Sequence, residues 1–210
     1  MQTAFLFDLD GVIIDSETQY SEFWKRVGER DFPHLPTFSS DIKGCTLTQI
    51  IDRYYAGDEA RTRRVVRELD EFESRMTYPL TAGALEFVDD LRAKGWKTAV
   101  VTSSNAKKMA CLHRVHPTLG THFDRVFTSE DAQRSKPAPD CYVNAARCLG
   151  FAPEACYVVE DSLNGVRAGH DSGAHTIGIT TTNPADALRP YCEHVVDGYE
   201  ELRNIVLQTQ

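Results

Sequence analysis

The sequence predicts an α/β fold, with a doubly wound parallel sheet as its core and an all-helical cap inserted after the first strand. Five short apolar runs of β-type sequence recur along the 210 residues, at 3–8, 97–104, 123–129, 156–162 and 174–181. Helical patterns lie between the later runs, and a long segment without a strand follows the first. Strand–helix–strand alternation produces right-handed crossovers and a sheet with helices on both faces. We therefore expect a Rossmann-like core.

The five apolar runs are predicted to be buried parallel strands. Each is almost uniformly apolar, as in TAFLFD at 3–8 and KTAVVTSS at 97–104, and each is stopped by a polar cluster. A half-exposed antiparallel strand would instead alternate apolar and polar residues. Strands that are covered on both faces lack this alternation, so the runs favour a parallel sheet between two layers of helices.

Three helices are predicted between these strands. The segment 83–95 carries its apolar residues on one stripe and ends at Gly95, a typical C-terminal stop. The segment 139–150 begins with Pro-Asp and ends at Gly150, which is the asymmetry expected of a helix. A third helix, at 162–173, follows the fourth apolar run.

The segment 16–80 interrupts the alternation, because it contains no strand-like run. Its apolar residues follow helical spacing in a strongly charged background. Three helices are predicted there, at 18–31, 48–57 and 58–76. We assign 1–15 and 81–210 to the α/β core and 16–80 to a helical cap. Both crossings into the cap lie near the carboxyl end of the first strand, where ligands bind in such sheets, so the cap is placed to act as a lid.

Composition and charge argue against several classes of protein. Hydrophobic residues make up 41% of the chain, which favours a packed core over disorder. The net charge of −8 argues against nucleic acid or an anionic membrane as the main partner. No apolar stretch approaches the roughly 20 residues of a membrane span. The six cysteines form no C-x-x-C pair and no basic leader precedes the first apolar run, which favours reduced thiols. We expect a cytoplasmic monomer.

Polar side chains cluster where four of the predicted elements begin or end. The set consists of Asp8 and Asp10, Thr102 and Ser103, Lys136, and Glu160 and Asp161. Because the carboxyl ends of parallel strands meet at one edge of the sheet, we expect these side chains to share a small volume. One lysine cannot neutralise four carboxylates, so the cluster requires a cation, and hard oxygen ligands favour Mg²⁺. Hydroxyl and N–H groups after Thr102 form an anion pocket, and a metal beside such a pocket indicates phosphoryl chemistry.

Each of these groups also has a purely structural interpretation. The two aspartates could simply end a strand, and Ser104 could cap the helix that follows it. Lys136 could be a solvated lysine ahead of a helix, and the Glu-Asp-Ser sequence at 160–162 could serve for capping alone. In isolation these are the commoner uses, but their order along the chain favours the catalytic interpretation.

Four ordered motifs resemble those of the haloacid dehalogenase-like hydrolases. They are DLDGV at 8–12, the apolar run that ends at Thr102, KPAPD at 136–140 and VVEDS at 158–162. The resemblance spans residues 4 to about 182. The point of the helical insertion resembles that of the β-phosphoglucomutase-like subgroup, whose cap is α-helical.

The resemblance implies a role for each motif residue. Asp8 would be the nucleophile that attacks phosphorus and forms an aspartyl-phosphate. Asp10 would protonate the leaving oxygen and then act as the base for water. Because its side chain lies off the metal, we expect Asp10 to be able to hold a proton. Thr102, the N–H of Ser103 and Lys136 would hold the transferring phosphoryl group.

The same resemblance implies a magnesium site and a turn. Asp8, Asp161 and the backbone carbonyl of Asp10 would bind Mg²⁺, and Glu160 would bind it directly or through water. Gly11 lets the chain turn sharply out of the first strand and adjoins the phosphate site. We expect no organic cofactor.

The cap decides between the candidate reactions. A cap loop with Lys43 and Gly44 should face the leaving group, although Lys43 could equally be a surface lysine. The β-phosphoglucomutases have a histidine where this sequence has Tyr20, and an arginine where it has Leu47. Both differences weaken the binding of a second phosphate.

These residues favour a Mg²⁺-dependent phosphatase for a small phosphorylated metabolite, with a sugar phosphate as the favoured class. The alternative is a phosphomutase of the β-phosphoglucomutase type. A non-catalytic protein that binds phosphometabolites is a third hypothesis, although such a protein would be free to lose a motif residue and none is lost. A dehalogenase is the weakest, because family members with that activity lack the second aspartate of the first motif.

Overall fold

The computed structural model of the protein describes residues 3–43 and 45–207. Six strands lie in this part of the chain: β1 (Ala4–Phe7), β2 (Lys97–Val101), β3 (Arg125–Phe127), β4 (Cys156–Glu160), β5 (His175–Ile179) and β6 (His194–Val196). Four α-helices follow β1 without an intervening strand: α1 (Glu17–Asp31), α2 (Phe38–Asp41), α3 (Leu47–Tyr54) and α4 (Glu59–Arg75). The remaining α-helices are α5 (Ala84–Ala93), α6 (Ala106–Val115), α7 (Asp140–Leu149), α8 (Leu163–Ser172), α9 (Ala185–Leu188) and α10 (Tyr199–Leu207).

The strands form one parallel sheet in the order β3-β2-β1-β4-β5-β6. The chain starts at the centre of the sheet, winds outward to β3 and then crosses to the other side, which is the doubly wound arrangement predicted. All five predicted strands are confirmed. The sixth strand escaped prediction because it has only three residues and begins with an exposed histidine.

Both faces of the sheet are covered, as uniformly apolar strands require. Side chains of β1 alternate between two hydrophobic clusters, with Phe5 and Phe7 on one face and Leu6 on the other. Helices α5, α6 and α10 contribute to the first cluster, and α7 and α8 to the second. Phe87 of α5 packs edge-on against both Phe5 and Phe7, at ring-centroid distances of 6.0 and 6.2 Å.

The helices α1 to α4 share a hydrophobic cluster of their own. Phe23, Trp24, Phe38, Ile50 and Val65 are all at least nine-tenths buried within it. The three predicted cap helices correspond to α1, α3 and α4, whereas α2 is a single short turn that the sequence did not indicate. The boundaries assigned to core and cap stay a prediction, although a separate cluster is what such a division would require.

The carboxyl ends of β1, β2 and β4 lie side by side at one edge of the sheet. Each is followed at once by a polar residue of a predicted motif: Asp8, Thr102 and Asp161. The cap helices reach this edge, because the Gln49 side chain of α3 donates a hydrogen bond of 3.0 Å to the carbonyl of Lys136. The topology therefore brings the four motifs and the cap to one place.

The six cysteines all carry free thiols. Among the described residues, no helix has the length and apolar character needed to cross a membrane.

Candidate active site

The nucleophile position is a buried carboxylate at the end of β1. Asp8 is 8% exposed, and its N–H donates to the carbonyl of Val159, which continues the pairing of β1 with β4. Its Oδ1 accepts a hydrogen bond of 2.6 Å from the Lys136 ammonium. Burial is the main cause that raises the pKa of Asp8, Lys136 opposes it, and Glu160 and Asp10 add to it, so that the pKa of Asp8 is raised to about 7. The lysine alone thus leaves this carboxylate short of positive charge.

Lys136 is a buried linker between carboxylates, not a solvated lysine. Its side chain is 3% exposed, and its ammonium donates to Asp8, to Glu160 at 2.8 Å and to the carbonyl of Val101 at 3.0 Å. Burial by itself lowers the pKa of this lysine, but Asp8 and Glu160 outweigh burial and hold its pKa well above the ordinary value. Lys136 therefore stays charged.

Glu160 is fully buried, and both of its carboxylate oxygens are occupied. Oε1 accepts from Lys136 and from the Tyr142 hydroxyl at 3.0 Å. Oε2 accepts from the N–H groups of Asp161 and Ser162 and from the Ser162 hydroxyl, at 3.0 to 3.1 Å. Five donors on one carboxylate favour contact with a metal through water over direct ligation.

Asp161 is also buried, but no ion pair joins it to a cation within the described residues. Its Oδ2 accepts a short hydrogen bond from the Thr182 hydroxyl. Burial, followed by repulsion from Glu160 and Asp8, holds the pKa of Asp161 well above its ordinary value. A buried carboxylate without a cation is costly, so this side chain is the strongest sign that the site holds one.

Asp8, Glu160 and Asp161 could together hold a metal ion, since each offers a carboxylate oxygen and these oxygens lie within 4.8 Å of one another. All three are buried, and the one lysine among them balances only part of their charge. Hard oxygen donors with an excess of negative charge fit Mg²⁺. The donor set therefore fits the predicted cofactor.

Position 11 requires glycine because the Asp161 side chain lies too close to leave room for a Cβ atom. Its φ of +75° is left-handed, and a Cβ atom at this position would lie 1.8 Å from Asp161 Oδ2. Its N–H donates to the carbonyl of Ile14 at 2.8 Å, and its carbonyl accepts from the Thr181 hydroxyl. With both backbone groups occupied, Gly11 contributes to the site by making room for Asp161.

The predicted anion pocket follows β2. Thr102 is 3% exposed, and its hydroxyl oxygen accepts a hydrogen bond from the N–H of Ser104 at 3.0 Å, which tightens the loop that includes Ser103.

We considered Ser104 as the cap of the next helix, and this is wrong. Asn105 caps α6 by accepting from the N–H of Lys108, whereas the Ser104 hydroxyl donates to Asp10 Oδ2 at 3.0 Å.

Asp10 faces a different cation from Asp8. Its two carboxylate oxygens each lie 2.6 Å from the ammonium of Lys108, and they also accept from Ser16 and Ser104. Burial raises the pKa of Asp10, but the charge and hydrogen bonds of Lys108 and the two serines outweigh burial and lower the pKa overall. The expectation that Asp10 readily holds a proton therefore does not apply to this arrangement, because Lys108 favours the ionised form.

The cap completes the wall of the pocket. The Tyr20 ring lies 4.5 Å from the Lys108 ammonium, and its hydroxyl donates to Glu73 at 2.7 Å. Glu73 is 7% exposed, and burial raises its pKa even though Lys108 opposes this effect. In the sequence, Tyr20 is notable only because the β-phosphoglucomutases have a histidine at this position. In the structure it lies on α1 and contacts both Glu73 of α4 and Lys108 of the core.

Of the two cap-loop residues predicted to face the leaving group, the structure describes only Lys43. Lys43 lines the pocket and forms an ion pair of 2.6 Å with Glu17, the first residue of α1. Leu47 and Tyr20 also line the pocket. Gly44 lies outside the described residues. A role for Lys43 in binding substrate stays a prediction.

Sequence reasoning missed Lys108, Glu73 and Glu17. Lys108 carries one usable signal, because it is the third residue after the Asn105 cap and so lies in the first turn of the helix that follows the predicted anion pocket. Glu73 is one of many charged residues in α4 and has no distinguishing local pattern. Only the packing of α4 against the core shows which of them enters the pocket.

Comparison with known proteins supports both the fold and the motifs. A family model described as haloacid dehalogenase-like hydrolase matches residues 2–173, which include all four motifs. Hexitol phosphatase A of Escherichia coli strain K12 is 33% identical over 190 residues, which cover 89% of this chain and 86% of that protein. Beta-phosphoglucomutase of Mycobacterium tuberculosis strain CDC 1551 is 26% identical over 228 residues, which cover 92% of this chain and 87% of that protein. A solved hydrolase from Pseudomonas syringae shares the fold, with a TM-score of 0.84, 21% identity and coverage of 100% of this chain and 99% of that one.

Replacing Gly11 by alanine tests its place beside Asp161. We expect Gly11→Ala to weaken Mg²⁺ binding by about 10-fold or more, the range seen when the support of a metal ligand is disturbed, because the methyl group displaces Asp161. Isothermal titration calorimetry with Mg²⁺ measures the change. Gly57→Ala is the matched control, since Gly57 also has a positive φ of +83° but no atom within 4 Å of the added methyl group.

Both alanine variants should lose about 1–2 kcal/mol of unfolding free energy in urea, because both place alanine in the left-handed region. Gly11→Ala should lose more than Gly57→Ala, because its methyl group also collides with Asp161. Only Gly11→Ala should also lose affinity for Mg²⁺. Equal Mg²⁺ affinity in the two variants would contradict the assignment of Asp161 to the metal site.

Proposed function

Because this chain belongs to the haloacid dehalogenase-like hydrolase family, as its motifs predicted, we propose that it is a Mg²⁺-dependent phosphatase that works through an aspartyl-phosphate at Asp8. The observation that carries this proposal is the buried contact of Asp8 with Lys136, within reach of Asp161 and beside Thr102. It unites a nucleophile, a fixed cation and an anion pocket in one cavity.

In the first step an Asp8 carboxylate oxygen attacks phosphorus, and the bond from phosphorus to the leaving oxygen breaks. Lys136 keeps Asp8 in place through its hydrogen bond to Oδ1 and supplies positive charge next to the phosphoryl group. The Thr102 hydroxyl and the N–H of Ser103 would hold the phosphoryl oxygens. Asp8 must be ionised to attack, which its raised pKa makes dependent on further positive charge.

Mg²⁺ would be held by Asp8, Asp161 and the backbone carbonyl of Asp10, with Glu160 in contact through water, and would supply charge that stabilises the phosphoryl oxygens. The shortage of positive charge around Asp161 supports this assignment.

Asp10 serves the proton transfers. In the first step a proton on the Asp10 carboxyl passes to the leaving oxygen as the phosphorus–oxygen bond breaks. Because Lys108 lowers the pKa of Asp10, this step requires Asp10 to take up that proton before the bond breaks. In the second step a water molecule attacks the aspartyl-phosphate, and Asp10 takes up a proton from this water. The Ser104 hydroxyl, which donates a hydrogen bond to Asp10 Oδ2, helps to hold the carboxylate in one place for both steps.

The substrate is a small phosphorylated sugar or polyol. The cap side of the pocket presents hydroxyl and carboxylate groups from Ser21, Glu17 and Glu73, which suit the hydroxyl groups of such a molecule. The similarity to hexitol phosphatase A supports the same class.

Hydrolysis is favoured over transfer within a sugar. Among the described residues, the cations that line the pocket are Lys43, Lys108 and Lys136, and each forms an ion pair with a carboxylate. A mutase must hold a second phosphate with the cap, and none of the arginines in the described part of the chain lines the pocket. Leu47 occupies the position where an arginine would be expected. The phosphomutase stays the second candidate because of the similarity to β-phosphoglucomutase.

We further propose a cytoplasmic monomer without nucleic-acid or membrane partners, for which the net charge of −8 is the supporting observation.

Replacing the nucleophile tests the mechanism. We expect Asp8→Asn to lower the turnover of p-nitrophenyl phosphate by at least about 10³-fold, because the loss of a nucleophile removes the covalent route. Phosphate release is measured, and circular dichroism verifies the fold. Asp15→Asn is the matched control, since Asp15 lies in the same segment but is exposed. Turnover in Asp8→Asn equal to that of the control would refute the proposal.

Metal removal tests the cofactor. Treatment with EDTA followed by gel filtration should abolish phosphate release, and added Mg²⁺ should restore it, because Asp8 and Asp161 lack sufficient positive charge without a cation. Thermal unfolding with and without Mg²⁺ provides a readout independent of activity. Full turnover by the metal-free protein would exclude the magnesium site.

Product analysis separates the two candidate reactions. With β-glucose 1-phosphate and a trace of the 1,6-bisphosphate, we expect free phosphate as the main product, because each lysine that lines the pocket among the described residues is already paired with a carboxylate. Nuclear magnetic resonance of ³¹P distinguishes the products. Glucose 6-phosphate as the main product would establish the mutase instead. A panel of hexitol and sugar phosphates then identifies the preferred substrate.

A further inference from the structure

Lys108 is a buried cation for which the proposed reaction names no chemical role. It lies in the first turn of α6, is 6% exposed and belongs to none of the four motifs. A lysine is rarely this buried unless it is paired. Its partner is Asp10, and its ammonium lies 2.6 Å from both carboxylate oxygens. This contact joins residues that are 98 positions apart in the chain.

The ammonium of Lys108 is held from the cap as well as from the core. The Tyr20 ring lies 4.5 Å from it, which is within the range of a cation–π interaction. The Tyr20 hydroxyl is in turn fixed by Glu73 at 2.7 Å. Lys108 thus lies between a carboxylate of the core and an aromatic ring of the cap, and it can move little without breaking one of these contacts.

Lys108 is placed to act on Asp10 and not on the phosphoryl group. The described contacts of the nucleophile Asp8 are with Lys136, which occupies the position of a phosphate-side cation. The ammonium of Lys108 contacts Asp10 at two oxygens, whereas a phosphate ligand would be expected to point toward Asp8 and Thr102. The ammonium at both oxygens sets the direction of the carboxylate, and the hydroxyls of Ser16 and Ser104, one on each oxygen, restrain its rotation.

We infer that Lys108 is a positioning residue that aims the Asp10 carboxyl group at the leaving oxygen. The inference rests on the proposed function, because it assumes that Asp10 transfers the proton. In the first step the phosphorus–oxygen bond breaks, its electron pair stays on the leaving oxygen, and this oxygen takes the proton from Asp10. The precision of this transfer depends on the location of Asp10, and Lys108 sets that location together with Ser16 and Ser104.

The leaving group provides a readout that a structural role would not move. An alkyl phosphate leaves as a strongly basic oxygen and needs the proton, whereas p-nitrophenol leaves readily without one. The value of kcat/KM reports the first irreversible step, in which the leaving group departs. The ratio of kcat/KM for glycerol 2-phosphate to kcat/KM for p-nitrophenyl phosphate therefore measures proton transfer separately from phosphate binding and from hydrolysis of the intermediate.

We expect Lys108→Met to lower kcat/KM for glycerol 2-phosphate by about 10- to 100-fold and that for p-nitrophenyl phosphate by no more than about threefold, since a positioned acid contributes on the order of 10²-fold or more. Lys108→Arg retains the charge and should restore part of the ratio. Lys107→Met is the matched control, because this neighbouring lysine of α6 is exposed and pairs with Asp70 of the cap, away from Asp10. The control should leave the ratio unchanged.

A double-mutant cycle with Asp10→Asn completes the test. If Lys108 acts through Asp10, Lys108→Met should not lower the ratio further in the Asp10→Asn background. An equal loss for both substrates, an unchanged ratio, or a loss that persists without the Asp10 carboxylate would each overturn the inference. If Lys108→Met does not fold, Lys108→Gln, which also removes the charge, takes its place: a ratio equal to that of the unchanged protein and of Lys107→Met would overturn the inference. Turnover by Asp8→Asn would refute the proposed function instead, so the two failures are distinguishable.

Discussion

The Lys136 ammonium is buried between the carboxylates of Asp8 and Glu160, and the arrangement of the whole site depends on this contact. Three elements meet there: β1, β4 and the loop that precedes α7. Such a cluster is unfavourable unless its charges are balanced. The lysine balances two carboxylates, and Asp161 is left as the buried group that requires a further cation. The arrangement of the site and the Mg²⁺ requirement that we propose thus have the same electrostatic cause.

The two aspartates of the first motif are paired with two different lysines. Asp8 pairs with Lys136 on the core side, and Asp10 pairs with Lys108 where α6 meets the cap. Two carboxylates so close in sequence would repel each other if they shared one environment. Separate cations suit the separate tasks that we propose for them, namely attack on phosphorus by Asp8 and proton transfer by Asp10.

Much of this arrangement could be predicted from the sequence, because it depends on local patterns. Uniformly apolar runs predicted β1 to β5, and polar residues directly after them predicted Asp8, Thr102 and Asp161 at one edge of the sheet. The strand β6, with three residues, and the helix α2, with four, were missed. The capping role considered for Ser104 was wrong because Asn105 competes for the same helix end, and spacing alone does not decide which of the two caps it.

The sequence by itself determined the fold class, the family and the residues of the four motifs, since strand periodicity and motif order are properties of contiguous residues. Only the tertiary structure decided how the charges are paired. Lys108 with Asp10, Lys43 with Glu17, and Tyr20 with Glu73 are contacts between distant segments, and each depends on how the cap helices pack against the core. Pairing energies fall steeply with distance and with exposure to water, so the role of a charged residue is settled by its neighbours in space.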